Sequence, residues 1–190
     1  MVKGECPVLV RSRMGASADG FVAAPDGVPT LAIMPGFVPA VSYGHPGFTQ
    51  GRGEVAMGRT TFLPALGAPR RPWPGLQVYV LTSRPLPAST PGHVIAAHDG
   101  PAALAAQLRS RRSDGDVHLV GGPRTIRTFR EPGMLDRLEI IILPILLGDG
   151  IPLSVPGTPP VPLELQRADR IFSDGAAGLI YTMATPAAAT

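Results

Sequence analysis

A chain of 190 residues, 44% hydrophobic and 16% charged, has the length of one domain, roughly 100 to 200 residues, and is too apolar for a disordered polymer. Its net charge of +3 rests on arginine, Lys3 being the single lysine, and aromatic residues make up only 5%, which argues against the dense basic face with stacking platforms of a nucleic-acid binder. Lone Cys6 excludes an internal disulfide framework or a cysteine-rich zinc site, and no apolar run reaches the ~20 residues that span a bilayer.

The first strand is expected within PVLVRSRMGASADGFVAA, closing at the turn pair Asp19-Gly20. From Pro25 to Gly53, proline and glycine recur too often for a long helix, so this stretch should be an irregular excursion with short helical turns at most. EVAM reads as a short buried strand and RTTFLPAL as a short helix stopped near Pro64 to Gly67. PRRPWPG is a surface loop, and LQVYVLTSRP a strand by its Val, Tyr and Leu content. HVIAAHDG receives no element. PAALAAQLRSRR carries the best helix pattern, with Leu104 and Leu108 on one face and Pro101 in the first turn. DVHLVGG is the next strand, PRTIRTFREPG a short helix and LDRLEIIILPILLG a long apolar strand. VPGTPPVP connects to a closing hairpin turned at Ser173 to Gly178, and the tail PAAAT should fray. Strands alternating with short helices predict an α/β fold with a mainly parallel sheet and an antiparallel C-terminal edge.

In open α/β sheets ligands gather at the carboxyl ends of strands, so the residues after each strand carry the chemistry. Gly58-Arg59-Thr60-Thr61 couples a close-approach glycine to amides at a helix start, which suits a phosphate but equally suits a plain strand-to-helix turn. Thr82-Ser83-Arg84 offers hydroxyls and a guanidinium fork. Gly121-Gly122 follows a strand and opens a helix, without the GxGxxG fingerprint or the GK[ST] of a P-loop. No GxSxG elbow is present, and His45, His93, His98 and His118 lack metal-ligand spacing, so no metal is expected and each reads as a surface or packing histidine. The arginine groups 70/71, 109/111/112 and 124/127/130 read as solvated surface.

Taken in order, SADGFVA, VAMGRTTF, VLTSRP, GDVHLVGGPRTI and MLDRLEIIILPILLGDGIPL resemble the dihydrofolate-reductase-like superfamily, in the branch holding the reductase domain of the bifunctional riboflavin-biosynthesis deaminase/reductase. The resemblance runs from about Val8 to Thr185. It implies one three-layer α/β/α domain over residues 1–190, NADPH as cofactor and a homodimer. Carried across, the phosphate-facing turns are Gly58, Arg59, Thr60 and Thr61, and Val120, Gly121, Gly122, Pro123, Arg124 and Thr125. Thr82, Ser83 and Arg84 are implied near the adenosine 2′-phosphate. Asp19, matching the family's S-x-D-G strand end, is the implied catalytic candidate, orienting substrate or relaying a proton; an Asp-Gly turn would place the same residue there.

The sequence also departs from the pattern. A dihydrofolate reductase needs a carboxylate after the first strand to hold the pteridine, and no Asp or Glu lies between Asp26 and Glu54. The helix usual before the MGR strand is replaced by Pro/Gly-rich chain, and GxGxPLF reads GIPLSV. No zinc-deaminase motif is present. The expectation is a stand-alone cytoplasmic NADPH-dependent reductase acting on a small heterocyclic or carbonyl/imine substrate, with no membrane or nucleic-acid partner. Two alternatives stay open: a nucleotide-binding module of the same fold without turnover, and an arginine-driven protein that binds nucleic acid or an acidic partner.

Overall fold

A computed structural model describes residues 8–39, 41–43, 45, 52–67, 73, 75–110, 115–170 and 174–183. The elements follow the chain as β1 (Val10–Ser17), β2 (Phe21–Ala23), α1 (Thr30–Ile33), β3 (Arg52–Gly58), α2 (Arg59–Leu66), β4 (Gln77–Leu81) and β5 (Val94–Ala97). They continue as α3 (Gly100–Ser110), β6 (Asp116–Val120), α4 (Pro123–Arg130), β7 (Arg137–Leu143), β8 (Ile151–Pro152), β9 (Leu163–Arg170) and β10 (Ala177–Met183). Among the described residues, eight strands form one sheet in the order β5-β4-β3-β6-β1-β7-β10-β9, while β2 and β8 make a separate small ribbon. Strands β5 to β7 along this order run parallel, and β10 and β9 add antiparallel.

Pairing register divides the side chains between two faces, because successive residues of a strand point to opposite sides. Val10, Ser12, Met14 and Ala16 of β1 share a face with Val117 and Leu119 of β6 and with Leu138 and Ile140 of β7. Leu104, Ala105 and Leu108 of α3 and Ile126 and Phe129 of α4 cover this face and complete the largest core. Phe129 is fully buried in it.

The other face is closed in two pieces. Val55, Met57, Val78 and Val80 pack under Phe62 of α2, and Ile141 and Leu143 pack under Met34 and Tyr43 from the Pro/Gly-rich excursion. Between them, β1 contributes Arg11 and Arg13 and β6 contributes His118. Arg11 bonds Asp116 at 3.1 Å and Glu139 at 2.6 Å, so the centre of this face is polar where the flanks are apolar.

The α/β class, the mainly parallel sheet and the antiparallel closing pair agree with the sequence reading. Several details differ. β1 stops at Ser17 and a turn leads into β2, because Gly20 adopts a positive φ that reverses the chain. HVIAAHDG holds β5, an edge strand of only four residues with half-exposed side chains. β7 ends at Leu143, since Pro144 has no amide to extend a ladder. β10 begins at Ala177, inside the expected turn. The expected loop residues 69–72 and 74, the tail and part of the excursion lie outside the described residues.

Arg109 is also more than solvated surface. It holds both oxygens of Asp136 at 2.8 and 2.9 Å, while Asp136 in turn accepts from the amide of Val10 at 2.7 Å. Arg127 pairs with Glu131 one turn along α4 at 2.6 Å. Arg124 is exposed, and Arg70, Arg71, Arg111 and Arg112 lie outside the described residues.

Candidate active-site cleft

β3 and β6 are adjacent and parallel, so the turns at their carboxyl ends, Gly58-Arg59 and Gly121-Gly122, emerge side by side. Each glycine turn opens a helix, with Gly58 and Gly122 at the N-cap positions of α2 and α4, and neither helix start is capped by a side-chain hydrogen bond. Uncapped first-turn amides carry the positive end of the helix dipole and need an acceptor. Pro123 at the first turn of α4 suits a position where an amide would be spare.

Thr125 joins the two turns. A Cβ on Gly58 would lie 3.3 Å from Thr125 Oγ1, and one on Gly121 would lie 2.7 Å from the same oxygen and 2.9 Å from Thr125 Cβ. Gly121 also holds φ at +152°, a conformation that favours glycine. The threonine therefore fills the gap that two missing side chains leave.

These residues border a cleft of about 520 Å3 lined by Thr60, Thr61, Val120, Gly121, Gly122 and Pro123 on one side. Met14, Gly15, Val22, Ala23, Leu31 and Ile151 line the other. An adjoining space of about 500 Å3 continues past Pro123, Arg124 and Thr125 to Pro152 and Val155, sharing Thr60, Gly122, Pro123 and Ile151 with the first. Gly15 permits close approach here, because a Cβ would meet Leu31 Cγ at 2.4 Å.

The wall made by β2 and β8 is tied to β1 through the segment 145–153. The amide of Ala18 donates to the Ile145 carbonyl at 2.8 Å, and that of Leu153 to the Gly20 carbonyl at 2.8 Å. Gly150, at φ +152°, passes the Ala23 carbonyl where a Cβ would stand 2.2 Å from the oxygen. Asp19 belongs to this tie: its carboxylate accepts from the Leu147 amide at 3.1 Å and the Gly148 amide at 2.7 Å. The Ser17 hydroxyl foremost, and then the Gly148 amide, hold the exposed Asp19 carboxyl below its ordinary value, so it stays ionised at neutral pH.

The predicted residues thus fall into groups. Thr60, Thr61 and the run from Val120 to Thr125 meet along the cleft, with Gly58 against Thr125. Arg59 turns aside to donate to the Pro85 carbonyl at 2.8 Å, linking its turn to the one after β4. There Thr82 Oγ1 accepts from the Arg84 amide at 3.0 Å and donates to the Arg84 carbonyl at 2.9 Å, leaving Ser83 and Arg84 exposed. The sequence reading missed Arg13, Tyr43 and His118, which line a smaller chamber beside the cleft. The one signal available was a pair of arginines spaced two apart within an apolar strand.

Comparison with known proteins agrees with this architecture. The uncharacterized protein YwjB of Bacillus subtilis (strain 168) is 27% identical over 141 residues, 74% of this chain and 79% of its own. A putative riboflavin biosynthesis protein from Shewanella sp. PV-4 superposes with a TM-score of 0.75 at 20% identity, covering 94% of this chain and 100% of that one. The diaminohydroxyphosphoribosylaminopyrimidine deaminase/5-amino-6-(5-phosphoribosylamino)uracil reductase of Thermotoga maritima superposes with a TM-score of 0.67 at 16% identity, covering 94% of this chain and 57% of that longer one. Residues 75–175, from the strand before the Ser-Arg turn through the Gly-Gly turn to the C-terminal hairpin, match the profile of the RibD C-terminal domain, and the chain belongs to that family.

Proposed function

We propose that the protein is a stand-alone reductase that takes hydride from NADPH and delivers it to a small heterocyclic or carbonyl/imine substrate. The observation that carries this reading is Thr125 seated between Gly58 and Gly121, which sets two uncapped helix starts along one edge of the cleft. Two adjacent helix starts whose first-turn amides have no side-chain cap, beside the open space at Gly122, suit the pyrophosphate of a dinucleotide. Thr60, Gly122 and Thr125 would hold the phosphates, and Arg84 would meet the 2′-phosphate that distinguishes NADPH from NADH.

When bound, NADPH supplies the hydride. The chain contributes placement, since transfer needs donor and acceptor a few ångströms apart and little further protein chemistry. Met14, Val22, Leu31 and Ile151 would exclude water from that position. No acidic residue lines the cleft among the described residues, so the proton that accompanies reduction is assigned to solvent. Asp19, ionised and engaged by two amides, is assigned to positioning Ile151 rather than to proton transfer. The same engagement favours one alternative, cofactor binding without turnover.

Calorimetric titration with NADPH and with NADH tests the reading, followed by the loss of reduced-nicotinamide absorbance with pyrimidine, pterin and quinone acceptors. Binding of NADPH with oxidation by one acceptor class is expected; binding without oxidation selects the alternative, and no binding of either cofactor overturns both. We further propose a homodimer, supported by Leu163 and Leu165, which are 38% and 54% exposed on the outermost strand β9, and a cytoplasmic location, which the lone Cys6 suits.

A further inference from the structure

A chamber of about 190 Å3 opens beside the cleft and shares Arg13, Leu31 and Val120 with it. A single ligand can therefore occupy both. Its polar walls are Arg13, Ser42, Tyr43, His45 and His118, and no carboxylate lines it among the described residues. The nearby carboxylates stand outside the lining and have partners of their own, although the charge of Glu139 also acts on Arg13. Glu139, opposite Arg13 in register, is held by Arg11 at 2.6 Å, and Asp174 accepts from the Tyr43 hydroxyl at 2.9 Å.

Two features show that the chamber is built at a cost. Tyr43 is the one described residue other than glycine with a positive φ, 57°, and such conformations persist where the surroundings impose them, often at ligand clamps. Its carbonyl accepts from Arg13, which fixes the guanidinium against the chamber wall. Burial, the largest influence, lowers the pKa of Arg13, so the guanidinium there is short of solvation.

We propose that the substrate of this cleft is a flat ring bearing a compact carboxylate, and that this group enters the chamber to meet Arg13 and His118. A guanidinium fork in a partly dry site recognises a carboxylate more strongly than a neutral isostere. Leu31, Phe37 and Ile141 supply the apolar sides that a ring edge needs. This inference rests on the reading of the cleft as the substrate side of a reductase, and the NADPH titration reports on that reading separately.

The test uses the full chain, with and without NADPH, and ligand-observed NMR affinities for two matched pairs: benzoate against benzamide, and the 6-carboxylate of uracil against uracil. The expected result is that at least one acid binds roughly tenfold or more tighter than its neutral partner, the scale of one charge-assisted contact. Arg13→Gln should abolish the preference and Arg13→Lys should keep part of it, with His118→Asn as a second variant that weakens the acids several-fold. Melting curves confirm that each variant is folded. Equal affinity within both pairs, no binding of either acid, or a preference that survives Arg13→Gln overturns the proposal. A preference for the acids without NADPH binding leaves the chamber standing and removes the reductase.

Discussion

Gly121 and Thr125 are four residues apart, yet a single added methyl at the first would come within 2.7 Å of the second's hydroxyl. Gly121→Ala must then displace Thr125 and adopt φ near +152°, with a strain of order 1–3 kcal/mol. The variant should melt at lower temperature and bind NADPH at least roughly tenfold more weakly. Adding Thr125→Ala should recover part of the melting temperature. A Gly121→Ala protein that binds NADPH unchanged would remove the glycine cradle from the cofactor site.

Arg84 stands exposed beyond β4, its backbone set by Thr82. Arg84→Ala should weaken NADPH by about tenfold and leave NADH nearly unaffected, since only the former presents a 2′-phosphate to the guanidinium. Comparable losses for both cofactors would refute this placement.

Asp19→Asn should loosen the tie to segment 145–153, because the neutral amide oxygen accepts more weakly than the carboxylate and the NH2 that replaces the second oxygen cannot accept from the Leu147 amide. The Asp19 pKa is lowered in the folded protein, so its stabilisation is complete above the unfolded value of about 3.9 and is lost as pH falls through the folded pKa. Urea unfolding should separate wild type from Asp19→Asn at pH 7 and show the gap closing below about pH 4. A gap of constant size across this range contradicts the assignment.

The Tyr43 hydroxyl has its pKa pushed up to about 12 by burial and by the bond to Asp174. Tyr43 should ionise near pH 12 in a spectrophotometric titration, and Tyr43→Phe should remove that step. Because the folded pKa is the higher, this tyrosine stabilises the fold fully below about pH 10 and less as pH rises further.

Phe129 anchors α4 to the sheet with no exposed surface. Phe129→Ala should cost about 3–5 kcal/mol by denaturant unfolding, the range for a buried aromatic truncation. A loss below about 1 kcal/mol would mean that α4 is not packed as described.

The strands that could be read from sequence were those with a full apolar face. EVAM, LQVYVL, DVHLV and LEIIIL are largely buried in the sheet and spell this out in mainly apolar runs, whereas the exposed β9 was read only through the turn residues of its hairpin. β2 and β8 could not be read, being three and two residues long. The turns after β3 and β6 were legible because glycine before a helix marks them. Their meeting through Thr125 was not, since strand order is a tertiary fact. The Arg13 chamber was hidden for another reason. An arginine alternating with apolar residues reads as facing water, and only the excursion that folds Phe37 and Tyr43 back over the sheet turns that face into an interior.

β1 lies inside the sheet, yet its neighbours are distant in sequence: Val10 pairs with Val117, and Arg11 with Arg137. During synthesis this strand emerges before its sheet partners and waits, both edges open, until more than a hundred further residues have followed. Loop closure over such spans is slow, so the sheet can be completed only late, and an apolar strand with two free edges is exposed to neighbouring chains meanwhile. The charged pair on β1, Arg11 and Arg13, gives that waiting strand a face unsuited to self-association. Refolding yield should accordingly fall with protein concentration, and more steeply once both arginines are replaced by leucine.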